Sequence, residues 1–203
     1  GYGDDITEQK RAEEEMLKST ERFNIVSKAT SDIVWDWFMA ENTFWWNDNY
    51  YSTIGVSRST GIATIDEWYQ RLHPDDYERV RKKFLGAIGG DQHFWTDEYR
   101  YRKNDGSYLN LYDRGYIIRN NSGIATRMIG SMVDMTQVLK AQKEVEESEN
   151  RLRTIFNSEP ECIKLLDSKG HLLDMNPAGL SMIEADSLEQ VKNKSVLGII
   201  SEE

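Results

Sequence analysis

This sequence has little cysteine and no long apolar run. Its 203 residues contain one cysteine, Cys162, which excludes an internal disulfide and a metal site built from several cysteines. No apolar stretch approaches the ~20 residues that a membrane-spanning helix needs. The formal net charge is −10, and an acidic surface repels nucleic-acid backbones and anionic lipids. We therefore expect a cytoplasmic segment without nucleic-acid or membrane contact.

Aromatic and other apolar residues are plentiful. Hydrophobic residues make up 38% of the chain and aromatic residues 11%, with six Trp and ten Tyr. This is enough apolar material for a packed core, and the length is typical of one or two domains.

One pattern occurs twice, 129 positions apart. The segment "DITEQKRAEEEM", which begins at Asp5, corresponds to "DMTQVLKAQKEV", which begins at Asp134, and Asn47 corresponds to Asn176. Solenoid repeats have periods of only ~20–50 residues, so this period indicates a tandem array of whole domains. We predict a preceding domain's tail with a linker helix at 1–19, a complete domain at 20–136, a linker helix at 137–156, and the first part of a second domain, truncated, at 157–203.

The segment after Asp134 has the spacing of a coiled-coil seam. Asp134 is predicted to cap a helix whose first turn holds Thr136, and Asp5 and Thr7 have the same roles in the first copy. Behind them, apolar and small residues alternate at intervals of three and four between charged flanks. The alternative is a helix packed on its own domain. We favour a parallel two-chain coiled coil, and hence a homodimer through the linker helices, with the seam Val138, Ala141, Val145, Ser148, Leu152 and Ile155.

The predicted complete domain has its elements in the order two strands, small helices, three strands. A hairpin is predicted over 32–38 and 43–46, helices over 47–55, 64–72 and 73–90, and strands over 93–102, 107–119 and 124–135. The turns "KNDG" and "NNSG" between the last three strands are strong hairpin signals. This order predicts an α+β fold, a five-stranded antiparallel sheet with small helices on one face, flanked by long linker helices.

A set of aromatic residues either lines a ligand cavity or fills the core. Aromatic side chains dominate burial in a domain of this size, so we favour a filled core. The candidates are Trp35, Trp37, Trp68, Phe84 and Tyr99, together with Phe94 and Trp95.

Two groups of charged residues need an interpretation. His73, Asp75 and Asp76 around Pro74 resemble a catalytic acid–base cluster, but proline and acids in a first turn are typical of a helix start, which we favour. Glu98 and Arg100 share a strand face, and we expect cross-strand pairs with Asp113 and Arg114. Exposed pairs of this kind contribute only about 0–1 kcal/mol each.

Several segments together resemble a known family. "WDW", "HPDDYERV", "EYRYRKNDGSY" and the closing "DMT" resemble a PAS domain with a PAC-type C-terminal half. The start of the chain resembles the end of a preceding PAS domain, and 161–186 resemble the opening of a following one. The resemblance implies a PAS fold and a sensory segment of a bacterial-type two-component signalling protein. The resemblance implies that the same protein carries an output domain, which is a histidine kinase or, alternatively, a cyclic-dinucleotide enzyme. The alternative to a sensory role is a ligand-free PAS module for dimerisation.

The resemblance also implies possible cofactors, and the residues that each cofactor needs can be sought in this sequence. A flavin-adduct light sensor needs a reactive cysteine inside the fold, and 20–136 contain none. Haem needs an axial histidine on an internal helix, whereas His73 precedes a helix and His93 begins a strand. We therefore predict neither cofactor and no metal, and leave open a small ligand of unknown identity. No phospho-acceptor histidine motif or nucleotide-binding glycine box is present, so we expect no catalysis by this chain.

Overall fold

The computed structural model of the chain describes residues 10, 18, 21–22, 25–59, 61 and 63–196. It divides into two compact units, Gly1–Gln137 and Val138–Glu203. No helix within the described ranges is long and apolar enough to cross a membrane. Asp5 and Thr7 lie outside the described residues.

The first unit is built on a five-stranded antiparallel sheet. Its strand order is β2-β1-β5-β4-β3, so the predicted hairpin of β1 and β2 pairs with the last strand along the chain. This arrangement confirms the α+β prediction. The strands are β1 (Ile33–Phe38), β2 (Thr43–Trp46), β3 (Phe94–Arg102), β4 (Tyr108–Arg119) and β5 (Ala125–Asp134).

Three helices lie between β2 and β3 along the chain, and local signals define their ends. They are α1 (Asp48–Ile54), α2 (Ile65–Arg71) and α3 (Pro74–Gly89). The Asn47 side chain accepts a hydrogen bond from the Tyr50 N–H and caps α1. A capping box of Thr64 and Glu67 begins α2. The imidazole of His73 accepts from the Asp75 N–H at the start of α3, which confirms the helix-start interpretation of this cluster.

The core of the first unit packs the inner face of the sheet against the helices. The Trp35 ring lies over two glycines of the central strands. A Cβ at Gly115 would come within 2.7 Å of the Trp35 ring, and one at Gly130 within 2.3 Å. Glycine is therefore required at both positions, because any side chain would displace the indole. Phe94, which we predicted among the core candidates, is instead 68% exposed, since it occupies an outward position of β3.

The described part of the second unit contains one long helix, two short strands, a short helix and a 3-10 turn. The long helix α4 spans Thr136–Ser158, one residue earlier and two later than predicted, and begins in the first unit. It is followed by the antiparallel strands β6 (Lys164–Leu166) and β7 (Leu172–Met175), the helix α5 (Pro177–Met182) and a 3-10 turn, Leu188–Gln190. Cys162, predicted within the first strand of this unit, precedes β6 and is half-buried.

One position of the 129-residue repeat has a similar environment in both units. The corresponding asparagines share one backbone contact and one helix cap. Asn47 Nδ2 donates to the Asp32 carbonyl at 2.9 Å, and Asn176 Nδ2 to the Glu161 carbonyl at 2.8 Å. Asn176 also caps α5, as Asn47 caps α1. The shared asparagine therefore caps the helix at the strand-to-helix turn in each unit.

Candidate functional site

A buried carboxylate lies at the centre of the aromatic core. Asp113 is 0% exposed. It accepts hydrogen bonds from Trp35 Nε1 at 2.9 Å and from the Tyr99 hydroxyl at 2.6 Å. These bonds supply partners for a charge that would otherwise be costly to bury. The predicted exposed pairing of Asp113 is therefore wrong.

The alternation of inward and outward side chains along β4 explains this error. The same alternation is the sequence signal that was missed. Along β4 the inward positions are buried, and Asp113 occupies one of them between Leu111 and Gly115. Arg114 lies on the opposite face and donates to the Ser131 hydroxyl at 3.2 Å. Arg100 pairs with Asp75 and Asp76 rather than with β4. Asp113 is a charged residue among otherwise apolar inward positions. This pattern could have indicated a buried polar site from the sequence.

Burial is the largest influence on the pKa values of the two ionisable groups at this site. It raises the pKa of Asp113 to about 7, although the hydrogen bonds from Tyr99 and Trp35 lower it. Burial, followed by the nearby Asp113 charge, raises the pKa of Tyr99 well above its usual range. Tyr99 therefore stays protonated and remains a hydrogen-bond donor to the carboxylate.

The predicted cavity-or-core residues come together in one aromatic cluster. Trp68 contacts Tyr99 edge to face with ring centroids 5.6 Å apart, and Phe84 lies 5.3 Å from Trp68 and 5.7 Å from Trp37. All five side chains are buried: Trp35 2%, Trp37 8%, Trp68 3%, Phe84 2% and Tyr99 4%.

A second site joins the sheet to the long helix. Asp134 ends β5, and its carboxylate accepts from the Thr136 N–H at 2.9 Å. The Thr136 hydroxyl accepts from the Asn110 N–H at 2.9 Å, and the Met135 N–H donates to the Asn110 carbonyl at 2.8 Å. We call Asp134, Met135, Thr136 and Asn110 the joint. Asn110 was not predicted, because its role depends on the register that places Leu111 opposite Asp134.

The start of α3 is bonded to β3 at the position opposite the joint. Arg100 of β3 lies opposite Asn110. Its backbone N–H and its Nε donate to Asp76 Oδ2 at 3.0 and 2.9 Å. The His73 N–H donates to the Arg100 carbonyl at 2.9 Å. The Arg100 guanidinium, as the largest cause, lowers the pKa of Asp76, which keeps this carboxylate charged.

These contacts account for the cluster that resembled a catalytic site. Asp76 bonds Arg100, and the His73 imidazole accepts from the Asp75 N–H at 3.2 Å. No group of three or more potential metal ligands occurs among the described residues. The cluster thus has a structural role at the helix start.

The predicted seam is exposed along α4. Within the described part of the chain, no residue of this helix is buried. Ion pairs between Lys140 and Glu144 and between Lys143 and Glu147 flank the seam. All of the predicted seam residues are exposed: Val138, Ala141, Val145, Ser148, Leu152 and Ile155.

Residues 43–132 match the family model described as PAS fold. This part of the chain has the PAS fold. In a solved structure, a sensory box histidine kinase/response regulator from Burkholderia thailandensis E264, 98% of that chain matches 66% of this one, with a TM-score of 0.55 and 24% identity. That likeness shows the fold, and the PAS prediction is confirmed.

Curated relatives are signalling proteins by name. The chain is 23% identical over 179 residues to the probable diguanylate cyclase DgcE of Escherichia coli (strain K12), which covers 88% of this chain and 16% of the relative. It is 24% identical over 166 residues to the sensor protein FixL of Bradyrhizobium diazoefficiens, which covers 80% of this chain and 32% of the relative. The chain therefore spans less than a third of these relatives. The predicted setting of the PAS domain, a sensory module in signalling proteins, is confirmed.

Proposed function

We propose that this PAS segment transmits a signal by changing how the joint holds the start of α4. The observation that supports this most directly is the pair of bonds from the Asn110 backbone to Met135 and Thr136. They connect the interior strand β4 to the first turn of the helix. A change of sheet geometry would therefore shift the helix start rather than dissipate in a flexible linker.

The output step requires two arrangements of α4. We infer that two copies of the chain pair in parallel along the exposed seam and form a homodimer. Exposed charged flanks and a short seam would make the pairing marginal, so a bias of a few kcal/mol could switch it between two arrangements. Asp76 is bonded to Arg100, and Arg100 lies opposite Asn110 in the sheet. This adjacency would carry a change at the start of α3 to the joint.

The parent protein that we favour is a cytoplasmic sensor histidine kinase with its output domain in the same chain. The similarity to FixL supports this choice. A cyclic-dinucleotide enzyme is the alternative, and the similarity to DgcE supports it. Replacing the PAS segment of a kinase and of a cyclase with this one would distinguish them by which hybrid protein retains signal-dependent output.

A second candidate function is that of a ligand-free dimerisation module. It is favoured by Trp35, whose ring occupies the centre of the inner sheet face over Gly115 and Gly130. Native mass spectrometry of the purified chain would separate the two candidates. A bound small molecule supports sensing of a ligand, whereas a dimer of bare chains supports the dimerisation module.

The pairing of α4 can be tested with matched variants. Ala141→Asp places a charge on the seam, and Asn150→Asp places the same charge on the opposite, outward face of the predicted coiled coil. We expect Ala141→Asp to weaken the dimer in sedimentation equilibrium and Asn150→Asp to leave it unchanged, because like charges within a seam repel. Equal dimer constants for both variants would show that the helices do not pair along this seam.

A further inference from the structure

A polar pocket of about 350 Å³ lies between the end of α2 and the β3–β4 hairpin. Three basic side chains share it with one acidic side chain. The rest of its wall is formed by amide groups and by glycines at the rim. Its main lining residues are Glu67, Gln70, Arg71, Arg102, Lys103 and Asn104.

Two arginines of this pocket are held by backbone carbonyls instead of carboxylates. Arg71 Nη1 donates to the Arg102 carbonyl at 3.1 Å, and Arg102 Nη2 donates to the Gln70 carbonyl at 3.2 Å. In the described part of the chain, neither guanidinium forms an ion pair. Each guanidinium carries five N–H donors, so the crossed bonds fix both groups while leaving donors free for a ligand.

The charges of the pocket are unbalanced. Lys103 has Asp105 at 3.4 Å. Glu67 is the acid in the pocket wall, but its Oε2 already accepts from the Ala63 and Thr64 N–H groups at 2.7 and 3.1 Å. The bond from the Ala63 N–H, with a smaller contribution from the Arg71 charge, lowers the pKa of Glu67. Glu67 therefore stays charged and offsets part of the arginine charge, but three basic groups face this one carboxylate in the pocket wall. Like charges held in one pocket repel each other, and a bound anion would relieve that repulsion.

We propose that this pocket binds a small phosphate-bearing anion, with Arg71, Arg102 and Lys103 as its ligands. The planar fork of an arginine matches the oxygens of a phosphate, and charge-assisted bonds of this type are the strong ones. The chain carries a net charge of −10, so long-range attraction does not favour anions. Binding would depend on the local geometry of this pocket, and the pocket size fits a phosphate or pyrophosphate group.

The test uses the full chain and pyrophosphate as the probe, titrated by calorimetry at low ionic strength. We expect saturable binding with one site per chain. Arg71→Gln, Arg102→Gln and Lys103→Gln should each weaken it by roughly tenfold or more, the equivalent of one charge-assisted hydrogen bond. Arg114→Gln removes the same charge from the other face of the sheet and should leave the affinity within about twofold of the parent. The amide signals of Asn104 and Gly106 should shift during the titration.

Lys103→Gln keeps the proposal testable if an arginine variant unfolds, because Lys103 takes no part in the crossed bonds. Thermal unfolding of each variant identifies such a loss of fold. The proposal is overturned if pyrophosphate shows no saturation, if Lys103→Gln binds like the parent, or if Arg114→Gln weakens binding as much as the pocket variants. Binding of a phosphorylated peptide without binding of pyrophosphate would also overturn it, since the site would then recognise a protein partner.

Discussion

Trp35 and Asp113 hydrogen-bond across the sheet although a whole strand separates them. Trp35 belongs to β1 and Asp113 to β4, and β5 lies between these strands. The indole crosses β5 over Gly130, and its Nε1 reaches the carboxylate at 2.9 Å. One side chain therefore links three strands, and its removal affects packing and polar balance together.

Replacing Trp35 by alanine should destabilise the first unit by about 3–5 kcal/mol, the usual cost of deleting a large buried aromatic side chain. It would also leave Asp113 with one donor fewer. The measurement is urea unfolding followed by circular dichroism. Phe94→Ala is the control, because that ring is 68% exposed, and we expect it to cost less than about 1 kcal/mol. Similar midpoints for the two variants would place Trp35 outside the core.

Adding one methyl group at Gly130 should be strongly destabilising. The new Cβ would lie 2.3 Å from the Arg114 carbonyl oxygen and from the Trp35 ring. Overpacking of this kind costs about 1–3 kcal/mol, and more where backbone is in the way. Gly86→Ala is the matched control. Nothing lies within 4 Å of that site in α3, so alanine should stabilise the helix by about 0.5–1 kcal/mol. The prediction requires unfolding midpoints that move in opposite directions.

The first unit should lose stability as the pH rises toward neutrality, through Asp113. Its folded pKa is raised from 3.8 to about 7, so the folded state holds a proton that the unfolded chain releases. The resulting stabilisation is complete below the unfolded pKa, declines as the pH rises above it, and is lost above about 7. Asp113→Asn retains the shape and does not titrate.

The measurement is the free energy of unfolding between pH 4 and pH 8 for both proteins. The difference in unfolding free energy between the parent and Asp113→Asn should change across this window, because the other titrating groups are common to both proteins. Parallel pH profiles would mean that Asp113 keeps an ordinary pKa in the folded chain.

The joint should depend on the Thr136 hydroxyl and the Asp134 carboxylate. Asp134→Ala removes a bond to the first turn of α4 and should cost about 0.5–2 kcal/mol. Thr136→Val removes the acceptor for the Asn110 N–H with little change of shape, whereas Thr136→Ser retains it. Hydrogen exchange at the Asn110 amide should accelerate in the valine variant and not in the serine variant.

In a full-length signalling protein, we expect Asp134→Ala and Thr136→Val to make output independent of the signal while the PAS domain stays folded. Normal signal dependence in both variants would identify the joint as a passive connection.

The elements of this protein could be predicted from the sequence because their signals are local. The Asn47 cap, the Thr64 and Glu67 capping box and the proline at the start of α3 act within a few residues of each helix start. The hairpin turns depend on glycines with positive φ, 86° at Gly106 and 78° at Gly123. The 129-residue repeat could also be read directly, since both copies use the same short pattern.

Only the tertiary structure decided which polar residues have a role beyond their own element. Asp113 was assigned to the surface because its charge suggested exposure, yet Trp35 and Tyr99, from two other strands, form its environment. Asn110 belongs to the joint because the pairing of β4 with β5 brings its backbone beside Thr136. Arg71 and Arg102 share a pocket only because α2 ends beside β3. Each of these contacts joins residues far apart along the chain, and no local pattern encodes which side chains the folded sheet and helices bring together.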